Sequence, residues 1–357
     1  MRARRLENLR QALPGAGVEG LLVLQPANRF YLSSFTGSQG VLLVTGGQNF
    51  LITDFRYWEQ ATAEASDFEL VKVKDGYAGE VGRAVAASGI SRVGFEAGSV
   101  SYQQYEDWRG MMPEGVELVP VKGLVESLRA VKDEQEIRLM EAAAAIAEEA
   151  LRRVMASIRP GMTEADLALE LEYTMRRVGA EKPAFEFVVA AGERAALPHA
   201  RPSKKAMERG DLLLMDIGAV YEGYASDLTR MVVLGPARGK TVDLFRLVCE
   251  AQQAGLAAIR AGVTAAEVDA VAREVIREAG YGEHFGHGLG HGVGLEVHES
   301  PRLASSDQTV LVPGMVVTVE PGIYLPGWGG VRVEDLVVVE KDGYRPLTRS
   351  SKDLVSL

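Results

Sequence analysis

Short apolar segments alternate with helix-like segments over roughly the first 122 residues of the chain. The apolar segments read GLLVL at 20–24, VLLVT at 41–45, NFLIT at 49–53, ELVKV at 69–73, RVGFE at 92–96 and VELVPV at 116–121. Helical patterns lie at the N-terminus, from Tyr57 and near 78–88. This alternation is typical of a mixed or parallel sheet covered by helices, so it predicts an α/β domain.

A different pattern begins near Glu126, where a long run rich in Ala, Glu, Leu and Arg has apolar positions at helical spacing. Pro160 and Gly161 end this predicted helix. Thr163 and Asp166 then have the spacing of a capping box, which indicates the start of a second helix.

The remainder of the chain mixes strand-like and helical segments. Strand-like runs lead to helices from about Val242 and Ala265, and the last third returns to strands in TVLV, MVVTVE and VRVEDLVVVE. We therefore predict two domains, an α/β domain at 1–123 and a larger α+β domain at 124–357.

Composition narrows the class of protein. The chain has 357 residues, of which 47% are hydrophobic and 25% charged, which excludes a disordered, collagen-like or disulfide-scaffold protein. The 39 basic and 49 acidic residues give a net charge of −10, so the chain has no general attraction to nucleic acid or anionic membranes.

The sequence also suggests a cellular compartment. Its single cysteine, Cys249, lies in an apolar helical pattern and can form no intrachain disulfide. The basic N-terminus lacks the apolar core of a signal peptide, and no stretch approaches the roughly 20 apolar residues of a membrane helix. These features predict a cytoplasmic protein.

Two glycine-containing runs suggest nucleotide-binding motifs, but neither has the required spacing. In MVVLGPARGKTVDLF (231–245), the two glycines enclose three residues where a P-loop needs four, and Pro236 lacks a backbone N–H donor. GHGLGHGVG (286–294) contains no Gly-x-Gly-x-x-Gly, and its glycines disfavour a zinc-binding helix. The first run predicts a strand-to-helix connection, and the second predicts an extended strand that another group approaches closely.

Acidic residues within apolar, strand-like sequence are the strongest sign of chemistry. Four such residues are Asp216 in LLLMDIGA, Asp227 in YASDLTR, Glu320 in MVVTVE and Glu334 in VRVEDLVVV. Taken singly, each could be an outward-facing or ion-paired residue. Together they would repel one another unless they were paired, protonated or bound to a cation. With an imidazole from the His-rich run they suit two divalent ions such as Mn, Co or Zn.

Five separated motifs resemble the pita-bread metallopeptidases, the family that includes prolidase (Xaa-Pro dipeptidase), aminopeptidase P and methionine aminopeptidase. They read ALPHA at 196–200, LLLMDIGAVYEGYASDLTR at 212–230, HGVGLEVHE at 291–299, VEPGIY at 319–324 and GVRVEDL at 330–336. NRFYLSSFTGS and LITDFRY resemble the N-terminal domain of the same family. The resemblance covers essentially the whole chain and implies a creatinase-like α/β N-terminal domain followed by an α+β pita-bread catalytic domain.

The resemblance also implies a dinuclear metal site, with Mn or Co favoured and Zn as a further candidate. The implied ligands are Asp216, Asp227, His291, Glu320 and Glu334. Asp227 and Glu334 would bridge the ions, and Glu320 would also act as base toward a hydroxide that bridges them. His298 would stabilise the tetrahedral oxyanion, His199 would assist as donor or proton shuttle, and His287 would line the site.

Two arginines bear on the same site. Arg332 lies two residues before Glu334, so on one strand both would share a face, and Arg332 could orient Glu334 or another site carboxylate. Arg302 matches an arginine that in prolidases binds the free carboxylate of a dipeptide, a contact suited to its planar fork. An ordinary surface arginine is the alternative. His284 has no assigned role, and Arg194 stands where many relatives have Asn.

The leading hypothesis is therefore a metal-dependent exopeptidase that cleaves Xaa-Pro bonds. Arg302 and the compact length favour a dipeptidase over aminopeptidase P, which acts on longer peptides, and Phe185 and Phe187 could form an apolar wall for proline. A methionine aminopeptidase would not need the N-terminal domain, and a non-catalytic pita-bread binding module would be expected to lose metal ligands. The resemblance implies a homodimer that acts on small Xaa-Pro peptides, with no nucleic-acid or membrane partner.

Overall fold

The structure is a computed structural model that describes residues 2–357, and the chain divides into two compact units between Arg129 and Ala130. The sequence predicts this division at residue 123. The difference arises because the segment after residue 123 is tied to the first unit. There Asn28 Nδ2 donates to Glu126 Oε1 at 2.7 Å, and Arg129 Nη1 donates to Asn28 Oδ1 at 2.7 Å.

A six-stranded mixed sheet forms the centre of the first unit. Its strands are β1 (Gly20–Val23), β2 (Val41–Thr45), β3 (Asn49–Thr53), β4 (Glu69–Lys72), β5 (Arg92–Glu96) and β6 (Glu117–Val121). Its helices are α1 (Arg2–Ala12), α2 (Pro26–Ser33), α3 (Trp58–Glu64), α4 (Tyr77–Ser88), α5 (Tyr102–Met111) and α6 (Leu124–Ala130). The strand order is β4-β3-β2-β1-β5-β6, with parallel pairs β3–β4, β1–β5 and β5–β6.

The central strands of this sheet are buried on both faces. Every residue of β1 and β2 is buried, as their continuous apolar sequences require. Leu22 and Leu43 pack with Val81 and Val85 of α4, so the helix covers one face of the sheet. All six apolar segments of the sequence form strands here.

Four helices and fourteen strands make up the described part of the second unit. The helices are α7 (Glu134–Met155), α8 (Glu164–Arg177), α9 (Lys240–Ala258) and α10 (Ala265–Glu278). The first strands are β7 (Lys182–Pro183), β8 (Val188–Ala191), β9 (Leu212–Ile217), β10 (Ala219–Tyr221), β11 (Tyr224–Ala225), β12 (Leu228–Val233) and β13 (Gly290–Gly292). The others are β14 (Glu299–Leu303), β15 (Val316–Val319), β16 (Gly322–Leu325), β17 (Gly329–Arg332), β18 (Asp335–Glu340), β19 (Gly343–Pro346) and β20 (Val355–Ser356).

These elements form two helix-backed sheets. One sheet has the order β20-β12-β9-β8, and its core is shared with α7 and α8 through residues such as Leu167 and Leu213. The other has the order β14-β13-β15-β18-β19, and α9 and α10 cover it through residues such as Val248 and Val317. The strand pair β16–β17 and a small three-stranded sheet, with the order β11-β10-β7, complete the unit.

Capping side chains set the starts of three helices of the second unit. Asp133 caps α7, Thr163 caps α8 and Thr264 caps α10, each in a reciprocal capping box. The capping box predicted for Thr163 with Asp166 is therefore confirmed. Among residues 2–357, no helix combines the length and apolar character needed to cross a bilayer.

Candidate metal centre

Asp216 and Asp227 are brought together by the β9–β12 hairpin. Asp216 lies in β9 opposite Thr229 of β12, and Asp227 immediately precedes β12. Both residues are largely buried, and within residues 2–357 neither Asp216 Oδ1 nor Asp227 Oδ1 has a hydrogen-bond donor. Because a buried carboxylate oxygen without a donor is costly, both atoms fit the ligands of a cation.

His291 reaches the same place from β13, at the centre of the glycine-rich run. Its backbone N–H donates to Thr318 Oγ1 at 3.0 Å, and its Nδ1 lies 3.1 Å from Gly292 O. A proton on Nδ1 would satisfy that carbonyl and direct Nε2 towards the carboxylates, as metal-binding histidines do. His291 Nε2 lies 3.2 Å from Glu320 Oε1 and 3.6 Å from Asp227 Oδ2.

Glu320 and Glu334 come from strand ends rather than strand centres. Glu320 follows β15 and accepts a hydrogen bond from Thr318 Oγ1 at 3.1 Å. Glu334, which is 1% exposed, lies between β17 and β18 and accepts from Thr229 Oγ1 at 2.7 Å. The prediction that Arg332 and Glu334 share one strand is wrong, because β17 pairs with β16 whereas β18 pairs with β15.

The electrostatics of this cluster also favour a cation. Asp227, His291 and Glu334 each offer one ligand atom, and these three atoms lie within 4.8 Å of one another. Burial raises the pKa of Asp227 and of Glu334 well above their usual range, and the neighbouring carboxylates add to the effect. Burial opposes ionisation of Glu320 too, but the hydrogen bond and charge of His291 lower the pKa of Glu320 to about 2. A set of four carboxylates and one imidazole therefore fits two divalent ions.

Arg332 is a buried cation at the edge of the cluster. Its side chain is 3% exposed and donates to Asp216 Oδ2 at 2.5 Å and to Thr229 Oγ1 at 3.1 Å. Glu320 Oε2 lies 4.0 Å from its Nε. The carboxylate that Arg332 orients directly is thus Asp216, whereas Glu334 is connected to it only through Thr229.

Tyr324 joins Arg332 to His287, a connection that the sequence did not suggest. Tyr324 Oη accepts from Arg332 Nη1 at 2.9 Å and lies 2.9 Å from His287 Nε2. Burial raises the pKa of Tyr324 to about 12 and lowers the pKa of His287. A neutral His287 with its proton on Nδ1 donates to Gly288 O at 2.7 Å and accepts from Tyr324. The only hint in the sequence was the tyrosine that ends VEPGIY.

His298, His199 and Arg302 lie at the solvent-exposed rim. The His298 ring centroid is 4.3 Å from that of His291. Burial and His291 lower the pKa of His298, and the charges of Arg302 and His199 act in the same direction. Arg302 is the register partner of His291 on β14, so both side chains project from the same face of that sheet. His298 is therefore neutral near pH 7 and able to donate one hydrogen bond.

Other residues singled out in the sequence lie outside this cluster. His284 lies in a short 3₁₀ helix with its ring 6.3 Å from that of Tyr281. Arg194 pairs with Glu164 at 2.9 Å. The Phe185 ring would lie 2.7 Å from a Cβ on Gly218, so Phe185 packs against the backbone two residues beyond Asp216.

Comparisons with known families cover both units. The pattern of metallopeptidase family M24 matches residues 138–341, and that of the creatinase/prolidase N-terminal domain matches residues 5–131. The chain is 38% identical to a Xaa-Pro dipeptidase of Pyrococcus furiosus over 98% of this chain and 99% of that one.

Solved structures show the same similarity. A Xaa-Pro dipeptidase from Bacillus anthracis has 43% identity and a TM-score of 0.98, with 100% of both chains covered. An X-Pro aminopeptidase from Thermotoga maritima has 39% identity and a TM-score of 0.91, covering 97% of this chain and 100% of that one. Both kinds of exopeptidase are thus similar to this chain along nearly its whole length.

Proposed function

Because the chain belongs to metallopeptidase family M24, we propose that it is a metal-dependent exopeptidase that hydrolyses Xaa-Pro dipeptides, that is, a prolidase. The observation that carries the proposal is the convergence of five residues of metal-ligand type, two buried and three mostly buried, beside an exposed arginine. Two carboxylate oxygens of this cluster have no donor within residues 2–357. Such a buried set of charges is costly unless it serves a bound cation.

Asp216, Asp227, His291, Glu320 and Glu334 would hold the two ions. When bound there, a pair of divalent ions would polarise the scissile carbonyl and lower the pKa of water. Since four carboxylates and one imidazole supply mostly oxygen ligands, we propose Mn or Co, with Zn as the third candidate. Metal content measured by plasma mass spectrometry after loading with each ion tests this choice, and two ions per chain is the expected ratio.

Side chains near the metal centre would transfer the proton, stabilise the oxyanion and position the ligands. Glu320 is ionised and borders the cluster, so it can accept the proton of the attacking water. Neutral His298 can donate to the oxyanion that forms on the scissile carbonyl, and His199 can assist from the rim. Arg332 donates a hydrogen bond to Asp216 and so holds the carboxylate of Asp216 in place. A peptide bond before proline has no N–H, so the enzyme must recognise the ring and the chain ends instead.

Arg302 is our reason for preferring a dipeptide. Its side chain lies on the face of the sheet that carries His291, and within residues 2–357 no carboxylate pairs with its guanidinium. A planar guanidinium can bind the free carboxylate of an Xaa-Pro dipeptide through two hydrogen bonds. A longer peptide places an amide at that position, so it would gain less from Arg302.

Arg302→Ala, assayed on Ala-Pro and on an Xaa-Pro-Xaa tripeptide, tests this preference. We expect KM for the dipeptide to rise about tenfold or more, which corresponds to the loss of one charged hydrogen bond. KM for the tripeptide should change little, and Arg302→Lys should recover only part of the dipeptide affinity because lysine lacks the planar fork. Arg260→Ala, which removes an exposed arginine elsewhere, is the matched control. An equal rise for both substrates would remove the preference for dipeptides.

The second candidate function is Xaa-Pro aminopeptidase, which acts on longer peptides. The similarity to the Thermotoga maritima enzyme supports this alternative. Faster cleavage of Xaa-Pro-Xaa tripeptides than of Ala-Pro would favour it.

We propose further that the protein acts in the cytoplasm as a homodimer. Its single cysteine and the absence of a membrane-crossing helix within residues 2–357 support the compartment. The dimer rests on the family resemblance, and sedimentation equilibrium of the full chain tests it. A monomer mass at micromolar concentration would contradict it.

A further inference from the structure

The His199 loop, residues 192–203, is tied at both ends to one buried carboxylate. Glu164, at the start of α8, is 0% exposed. Its Oε1 accepts from the backbone N–H of Ala191 at 2.9 Å, just before the loop. Its Oε2 accepts from the N–H and the hydroxyl of Ser203, at 3.0 and 2.6 Å, where the loop ends. One carboxylate thus closes the loop that carries His199.

Arg194 extends this closure across the middle of the loop. Its Nε donates to Glu164 Oε1 at 3.1 Å and Oε2 at 2.9 Å, and its Nη2 donates to Arg201 O at 2.7 Å. A buried carboxylate needs a paired charge, and Arg194 supplies it. Arg194 therefore links Glu164 to the backbone at Arg201, and His199 lies between residues 194 and 201 of the loop.

The opposite side of the loop is fixed by the strand that bears Arg332. Arg332 Nη1 donates to Pro198 O at 3.3 Å. A Cβ on Gly330 would lie 2.1 Å from Ala195 O, so the loop backbone packs directly on β17. His199 itself is exposed and makes no hydrogen bond within residues 2–357 that would hold its ring. The backbone that carries it must therefore supply its position.

We propose that Glu164 and Arg194 are positioning residues that hold His199 at the rim of the metal centre. Because His199 meets the substrate only if the protein has the proposed peptidase function, the catalytic part of this inference rests on that function.

A double-mutant cycle in the full-length, metal-reconstituted protein tests the link to His199. Arg194→Ala should lower kcat for Ala-Pro about tenfold in the otherwise unchanged protein, because a poorly placed donor loses transition-state contact. In a His199→Ala background the same change should lower kcat less than about twofold. Arg201→Ala is the matched control, since it removes another arginine side chain from the same loop and keeps the carbonyl that accepts from Arg194. The Nε of Arg201 lies 3.2 Å from an oxygen of the exposed Glu186.

Hydrogen exchange of residues 192–203, followed by mass spectrometry, tests the closure without any substrate. Arg194→Ala should exchange faster than wild type in this segment, Arg201→Ala should match wild type, and Glu164→Gln should fall between them because it keeps the shape and one acceptor. If wild type cleaves no Xaa-Pro bond but this order is seen, the proposed function fails and the positioning inference stands. Unchanged exchange in Arg194→Ala, or equal loss of kcat with and without His199, would overturn the inference.

Discussion

Gly290 offers the sharpest test of the metal centre, because another strand passes directly over it. A Cβ at this position would lie 2.0 Å from Thr318 O and 2.8 Å from Thr318 Oγ1. Thr318 Oγ1 accepts from the His291 N–H and donates to Glu320. Gly290→Ala would therefore push on a residue that hydrogen-bonds to two of the proposed ligands, His291 and Glu320.

The required displacement can be estimated from the contact distance. Non-bonded heavy atoms in van der Waals contact lie about 3.5 Å apart, so β13 and β15 would have to separate by more than about 1 Å. Such overpacking costs about 1–3 kcal/mol of unfolding free energy. A shift of about 1 Å in a catalytic group can lower activity about 100-fold. We expect a loss of that size in kcat/KM, together with weaker metal binding.

Gly286→Ala is the matched control, since it lies in the same glycine-rich run. Apart from its two chain neighbours, no heavy atom of the described residues lies within 4 Å of a Cβ at Gly286. Metal affinity by isothermal titration and kcat/KM on Ala-Pro should stay within about twofold of wild type in this control. Equal behaviour of the two variants would refute the reasoning that close strand approach fixes His291.

Three further predictions concern α9, α10 and metal binding by the second unit. Burial raises the pKa of Cys249 to about 11, so at pH 8 only about one thiol in a thousand is ionised. Iodoacetamide should therefore react slowly with Cys249, and the reaction should become faster as the pH rises. Rapid alkylation of the native protein at pH 8 would contradict this. Thr264→Ala removes the α10 cap and should cost about 1 kcal/mol in urea unfolding, whereas an unchanged midpoint would be inconsistent with the capping box. Chelation should lower Tm, and added Mn should restore it. At a free Mn concentration 100 times Kd, the gain in unfolding free energy should be about 2.7 kcal/mol, while Asp227→Asn should show no such response.

The sequence predicted the central strands of the first unit well because they are buried on both faces. Continuous apolar runs such as those of β1 and β2 are typical of strands that are buried on both faces. The order in which the six strands pair depends on contacts between distant residues, and no local pattern encodes it. The predicted resemblance to pita-bread metallopeptidases is confirmed along with the two-domain fold class that it implied.

Local patterns failed where the chain changes sheets. VRVEDLVVVE predicts one strand, but its first part pairs with β16 and its second with β15, and the break places Glu334 between them. TVLV predicts a strand, yet it makes only an isolated bridge at Val310, and Val310 and Val312 remain 49% and 37% exposed. Apolar sequence alone does not show whether a partner strand is available.

The sequence predicted which residues form the site but not the contacts between them. The spacing of acidic residues in apolar sequence identified the four carboxylates that the structure brings together. The contacts of Arg332 and Tyr324 could not be predicted, because they depend on how β17 and β16 pack against β9 and β12.

The central claim is that this chain hydrolyses Xaa-Pro bonds with metal ions held by its five clustered residues. The most direct measurement is release of free proline from Ala-Pro by the full-length protein, metal-free and after addition of Mn, Co or Zn. We expect no activity without metal, activity with at least one of these ions, and loss of that activity in Asp227→Asn. Failure to cleave Ala-Pro or any Xaa-Pro-Xaa tripeptide with every metal would contradict the account.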